Sequence, residues 1–122
     1  MQLIRGLSHL EPFKNGCVLS IGNFDGLHLG HRAVIRKLVE QGKVLGLPVV
    51  IMFFEPQPLE YFLGDNAPSR LMRLREKVIE MAKLPVDNLL IVRFNQNFAN
   101  RDAEQFIEHI LINTLNVKHL VI

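Results

Sequence analysis

The chain has 122 residues, 48% of them hydrophobic, enough for one small domain with a single core, and no second domain is expected. Its 14 Lys and Arg stand against 12 Asp and Glu, a formal net charge of +2 that argues against a nucleic-acid binder held by phosphate neutralisation. The lone Cys17 excludes an internal disulfide framework and a multi-cysteine metal site, and the longest apolar run, Leu47 to Phe54 with Pro48 inside it, is too short for a bilayer, so a soluble cytoplasmic protein is expected.

Met1 to Ile4 predicts a short strand, and GLSHLEPFKNG after it reads as a loop or a single helical turn, punctuated by Gly6, Pro12 and Asn15-Gly16. CVLSI, from Cys17, is apolar without alternation, the pattern of a strand buried on both faces of a parallel sheet. His28 to Leu45 places Leu29, Val34, Ile35, Leu38, Val39 and Leu45 among Arg32, Arg36, Lys37, Glu40 and Lys43, a helix with one buried stripe, and Gly46 is its stop. PVVIMFF is a further buried strand, ended by the prolines of Glu55-Pro56-Gln57-Pro58. Leu59 to Pro68, with Gly64, Asp65, Asn66 and Pro68, is expected to be an irregular segment over the strand ends.

A second amphipathic helix is predicted from Ser69 or Arg70 to Leu84, with Leu71, Leu74, Val78, Ile79 and Met81 inward, Arg73, Arg75, Glu76, Lys77 and Glu80 between them, and Pro85 closing it. LLIV, followed by Arg93 and Phe94, is another strand. Asp102 with Gln105 three residues on has the form of a capping box, so a third helix runs from there through Phe106, Ile107, Ile110 and Leu111 to about Leu115. VKHLVI closes the chain as a last short strand. Strands alternating with helices at this spacing predict right-handed βαβ units, hence an α/β fold of Rossmann type with a parallel sheet flanked by helices.

The chemistry concentrates in GNFDGLHLGH, Gly22 to His31, which joins the CVLSI strand to the first helix. Gly22, Gly26 and Gly30 allow backbone N–H groups to approach an anion, and the helix start offers unpaired donors with a favourable dipole. His28 and His31, three apart, share one helical face and reach one ligand together. This stretch therefore reads as a nucleoside triphosphate site. Asn23 either binds a phosphate oxygen or holds the turn, and Asp25 is expected to fix the loop by accepting backbone N–H bonds rather than to bind a metal. Phe24 and Phe54 either flank a ring or belong to the core. Arg70 either reaches a phosphate or is solvated. A zinc site would need another ligand, and His9, His109 and His119 lie in unrelated elements, so no protein metal ligand is assigned.

LSIGNFDGLHLGH, LPVVIMFFEPQP, APSRLMRLREK, VDNLLIVRF, AEQFIEHIL and VKHLVI, in this order, resemble the N-terminal FMN adenylyltransferase (FAD synthetase) module of the bacterial bifunctional riboflavin kinase/FAD synthetases, within the nucleotidyltransferase superfamily. The resemblance covers nearly the whole chain and implies a nucleotidyltransferase fold with transfer of AMP from ATP to FMN, giving FAD and pyrophosphate. It implies His28 and His31 as catalytic residues, Gly22, Asn23, Phe24, Asp25, Gly26 and Gly30 as ATP-binding, and Phe54, Pro56, Gln57 and Arg70 as flavin-binding. Mg²⁺ is expected with ATP, because a near-neutral domain leaves polyphosphate charge uncompensated. Many family members carry His where this chain has Gln57; a glutamine still donates a hydrogen bond.

The family's sequences continue with a glycine-rich DFRFG-like loop, a Ser/Thr and Arg segment and a riboflavin kinase barrel. Residues 1–122 are accordingly expected to be a partial nucleotidyltransferase domain of a longer enzyme, binding ATP weakly and turning over little FMN alone. The competing expectations are a different acceptor, such as a pantetheine phosphate, nicotinamide mononucleotide or an alcohol receiving cytidylyl, and a nucleotide-binding fragment without catalysis. The ligands expected are small molecules, ATP and FMN, with no nucleic acid and no membrane, and the sequence does not set an oligomeric state.

Overall fold

The computed structural model describes residues 1–8 and 10–122; His9, one of the histidines weighed as a zinc ligand, lies outside the described residues. Five strands, β1 (Gln2–Arg5), β2 (Cys17–Ile21), β3 (Val49–Phe54), β4 (Asn88–Val92) and β5 (Val117–Val121), form one sheet in the order β1-β4-β3-β2-β5. Every pairing is parallel, as the unalternating apolar runs predict. The chain steps from β2 to β3 to β4 in one direction, then returns to place β5 outside β2. That reversal puts a topological switch point at the carboxyl end of β2, where open α/β sheets bind ligands.

Successive strand residues serve opposite faces. Val18, Ile51, Phe53, Leu89 and Ile91 pack with Ile35 and Leu38 of α1 (Leu29–Leu45) and Met81 of α3 (Leu74–Met81). Cys17, Leu19, Val50, Met52, Leu90 and Val92 pack on the other face with Ile110, Leu111 and Leu115. Those last residues belong to or follow α5, which begins over Ala103–Gln105 and continues with wider, π-type bonding over Phe106–Thr114. The expected capping box is present: Asp102 Oδ1 accepts from the Gln105 N–H at 2.8 Å, and Gln105 Oε1 from the Asp102 N–H at 3.1 Å. Cys17 is fully buried and burial pushes its thiol up to about 12, which leaves it an inert apolar residue.

Several predicted boundaries move. The first strand begins at Gln2 and runs to Arg5. The segment Leu59 to Pro68 is not irregular throughout: α2 (Pro58–Leu63) occupies its first half and a 3₁₀ turn follows over Gly64–Asn66. Pro58 sits at the start of α2, where its missing N–H costs nothing, and the Glu60 carboxylate takes up the Gln57 N–H at 2.8 Å. α3 starts at Leu74, later than Ser69 or Arg70, because the backbone of Leu71 and Met72 is bonded elsewhere; it ends at Met81, where the chain tightens to i→i−3 bonds. A short helix not foreseen, α4 (Gln96–Ala99), is capped by the Asn95 side chain. Leu29 and Leu45 leave the α1 stripe, the first at 85% exposure; Leu71, ahead of α3, and Ile79 on it are exposed, while Lys77 is buried.

Close packing of α1 on β3 depends on Gly42. A Cβ there would lie 2.9 Å from Val49 Cγ2 and 3.0 Å from the Leu47 carbonyl oxygen. Gly42→Ala therefore destabilises the chain by about 1–3 kcal/mol despite the better helix propensity of alanine, a loss read as a lower urea midpoint.

Candidate active site

The loop leaving β2 holds an unusual backbone. Phe24 (φ 50°) and Leu27 (φ 43°) are left-handed although neither is glycine, and Gly26 between them has φ 80°. Such conformations are strained for residues with a Cβ and persist only where the surroundings impose them. Here the side chains of Phe24 and Leu27 are both buried in the core facing α1, which anchors the loop from beneath. Gly26 has no alternative, because a Cβ would add to its backbone strain a 3.0 Å approach to Leu71 Cδ1.

Two side chains tie this loop to the segment around α3. The Asp25 carboxylate accepts from the N–H groups of Leu71 (2.9 Å) and Met72 (2.7 Å), the structural role expected of it and the reason α3 starts late. Lys77, fully buried, reaches the other way: its Nζ donates to the Asn23 carbonyl at 2.7 Å and lies 4.5 Å from the centroid of the Phe53 ring. Burial pulls the Lys77 ammonium down from its ordinary value, nearby Arg70 adds to that, and Asp25, Glu55 and Glu60 oppose it.

His28 is not the first residue of α1 but its N-cap. Its Nδ1 accepts the Gly30 N–H at 3.1 Å, which places the imidazole proton on Nε2 and leaves an N–H donor at the far side of the ring. A Cβ at Gly30 would stand 2.9 Å from His28 Cε1, so a larger residue there displaces the His28 ring from its capping position. The His28 and His31 rings stack with centroids 3.7 Å apart and planes 21° apart, and Phe24 backs His31 at 5.3 Å. The two histidines therefore come together as the motif spacing predicts. Phe24 follows its core alternative; its ring supports His31. Burial holds the His31 imidazole below its usual value, His28 and Lys77 push the same way, and Asp25 opposes them. Its Nδ1 is buried without a partner among the described residues.

The residues at and beyond the end of β3 separate into two groups. Phe54 meets Phe94 and Phe98 edge-on at 5.3 and 5.0 Å and lines an apolar cleft of about 540 Å³ with Phe62, Phe98 and Phe106, bounded by Ile21 and Ile122. Arg70 is neither free nor solvated. Its guanidinium is shared between Glu55 (2.7 Å) and Glu60 (2.7 Å from Nε), so its charge is spent on fastening α2 to the end of β3. The Arg70 hydrogen bond holds the Glu60 carboxyl below the usual range. Pro56 follows a cis peptide bond, and neither it, Gln57 nor Arg70 lines the aromatic cleft. Gln57 is buried with its Nε2 unpartnered among the described residues. No group of three His, Cys, Asp or Glu gathers among the described residues to hold a metal.

Two contributors escape a reading of the motifs. Lys77 falls on the spacing Leu74, Lys77, Val78, Met81, the i, i+3, i+4, i+7 pattern of the buried stripe, so its position was visible although its type argued otherwise. The cleft draws phenylalanines from β3, α2, α4, the helix that α5 begins and the loop after β4, a gathering that only the topology produces.

The sequence profile of the family described as FAD synthetase matches residues 10–122. The chain belongs to the FAD synthetase family. It is 50% identical over 122 residues to a bifunctional riboflavin kinase/FMN adenylyltransferase of Haemophilus influenzae, covering all of this chain and 40% of that protein. It is 51% identical over 123 residues to the protein of the same name from Escherichia coli K12, covering all of this chain and 39% of that protein. A Pseudomonas fluorescens protein of that name is 43% identical over 120 residues, covering 98% of this chain and 38% of its own length. The chain thus spans about two-fifths of the length of these relatives. A crystal structure titled macrolide-efflux protein from Streptococcus pneumoniae superposes with a TM-score of 0.84 at 22% identity, covering 99% of this chain and 47% of that one; this likeness supports the fold alone. No helix among the described residues is long and apolar enough to cross a membrane.

In this FAD synthetase fold the depressed His31 couples the site to pH. A folded-state value below 6.5 favours the neutral ring, so the stability it contributes is complete above pH 6.5 and is lost as pH falls through the folded value. Urea unfolding across that acid range should show a shallower pH slope for His31→Asn than for the unaltered chain.

Proposed function

We propose that this chain is the adenylylating part of an FMN adenylyltransferase, joining AMP from ATP to FMN to give FAD and pyrophosphate. The observation that carries the reading is the stacked His28–His31 pair at the start of α1, where β2 ends at the switch point of the sheet. A phosphate oxygen of FMN forms the new bond to the α-phosphorus of ATP. The bond from that phosphorus to its bridging oxygen breaks, and the electron pair leaves with pyrophosphate. Such a transfer asks a protein for alignment and for donors to the charge gathering on phosphate oxygens.

The Nε2–H of His28, fixed by the bond at Nδ1, is one such donor; His31, stacked on it, supplies a second N–H to the same anion. Gly22, Asn23, Asp25, Gly26 and Gly30 shape the loop, with Asn23 available to a phosphate oxygen. Mg²⁺ enters as part of the ATP substrate, since Asp25, the carboxylate of the motif, is committed to the Leu71 and Met72 N–H groups. The flat apolar flavin ring suits the cleft of Phe54, Phe62, Phe94, Phe98 and Phe106, whose volume falls in the range of small-molecule sites. Gln57 keeps an uncommitted donor beside Pro56, whereas Arg70 acts by holding α2. We extend the proposal to a cytoplasmic protein that handles no nucleic acid and that carries a riboflavin kinase activity outside these residues, as the names of the relatives suggest.

The test is an adenylyl-transfer assay of the longer protein with MgATP and a panel of acceptors. FAD formation is expected; turnover with nicotinamide mononucleotide or a pantetheine phosphate and none with FMN would overturn the reading. His31→Asn should lower kcat by about a hundred-fold while ATP affinity changes only several-fold, because the donor matters most where charge develops. Equal losses in both would mark His31 as a ground-state ligand.

A further inference from the structure

We infer that Lys77 is a positioning residue of the histidine loop, acting by clamping the Asn23 carbonyl from beneath. A lysine buried completely inside a helix face is rare, because the ammonium loses its hydration. It is kept here between two acceptors of different kinds, the π-face of Phe53 and the backbone oxygen of Asn23. The second of these lies one residue before the left-handed Phe24, at the point where the loop turns away from β2. Asp25 binds the chain ahead of α3 by its backbone N–H groups, so loop and helix are joined by a carboxylate going one way and an ammonium going the other. Neither bond uses a group that the phosphate chemistry needs. Together they define where α1 begins and hence where His28 and His31 stand.

An unbranched apolar side chain only one atom shorter would fill most of the space without holding the carbonyl, so Lys77→Met separates the clamp from most of the packing. The test has one arm independent of catalysis and one that rests on the adenylyltransferase reading. In the ligand-free full-length protein, amide hydrogen exchange over Gly22 to Leu27 should accelerate by about ten-fold or more in Lys77→Met, with β3 and β4 unchanged. Exchange identical to the unaltered protein across that loop overturns the inference.

In FAD formation with MgATP and FMN, kcat should fall by about ten-fold or more while the KM for ATP stays near its original value, as expected when aligned groups lose their placement. A rise in KM alone overturns it. The imidazole of His31, which also faces His28 and Asp25, should titrate at higher pH in the variant, because the nearby Lys77 charge that helps to lower it is gone. If Lys77→Met does not fold, the ammonium itself decides the matter in the unaltered protein. A Lys77 Nζ resonance protected from solvent exchange supports the clamp, and a freely exchanging one refutes it. Absence of FAD formation by the unaltered protein would refute the adenylyltransferase reading and leave the exchange result to stand on its own.

Discussion

The site depends on a turn that its own residues would not choose. Phe24 and Leu27 are held at positive φ, where a Cβ is disfavoured, and nothing local repays that strain. The repayment is tertiary: two apolar side chains go into the core beneath α1, and Asp25 joins the turn to residues forty-six and forty-seven positions further along. Relaxing the turn would withdraw those side chains from the core and leave buried polar groups unpaired. The conformation is therefore a property of the whole α1 face of the sheet, and the histidines inherit their precision from it.

Electrostatics follow the same division. Arg70, Glu55 and Glu60 form a partly buried group in which one cation serves two carboxylates, and Asp25 serves two backbone donors. These charges are used internally. What remains open at the start of α1 is a set of donors: helix N–H groups, the exposed Arg32 and the two imidazole rings, that of His31 held toward its neutral form. In the adenylyl transfer proposed above, a polyphosphate meets dipoles already pointed by the fold, so little reorganisation accompanies binding.

Much of this was legible because strand burial and helix period are local properties. The double-sided burial of CVLSI and VVIMFF, the Asp102–Gln105 cap and the Gly46 stop each depend on neighbours within a few residues. The late start of α3 was hidden because its cause, Asp25, lies far away in sequence. α2 was hidden by the glycine, aspartate, asparagine and proline that follow it, although Pro58 and Glu60 already carried a helix start. Lys77 shows the limit most sharply: the stripe Leu74, Val78, Met81 includes its position, but a rule that sends charges to solvent overrides the spacing. Arg70 likewise has the type of a phosphate ligand and the surroundings of a structural tie.

The alternation of a strand accounts for how one sheet edge presents two unlike surfaces. Phe53 and Phe54 are adjacent, so their rings take opposite faces. Phe53 lies under the Lys77 ammonium on the α1 side, supporting the loop that carries the histidines, while Phe54 joins Phe94 and Phe98 in the aromatic cleft on the α5 side. β2 makes the same division one strand away: Val18 packs toward α1, Leu19 and Ile21 toward α5, and the chain then enters the loop at Gly22. β5, returning to the outer edge of β2, brings Ile122 to the apolar side. The histidine loop and the aromatic cleft thus lie on opposite faces of the sheet. The adenylyl transfer proposed above calls on a polar surface for phosphate and an apolar one for a ring, and the period of two residues along β2 and β3 presents both at the same edge.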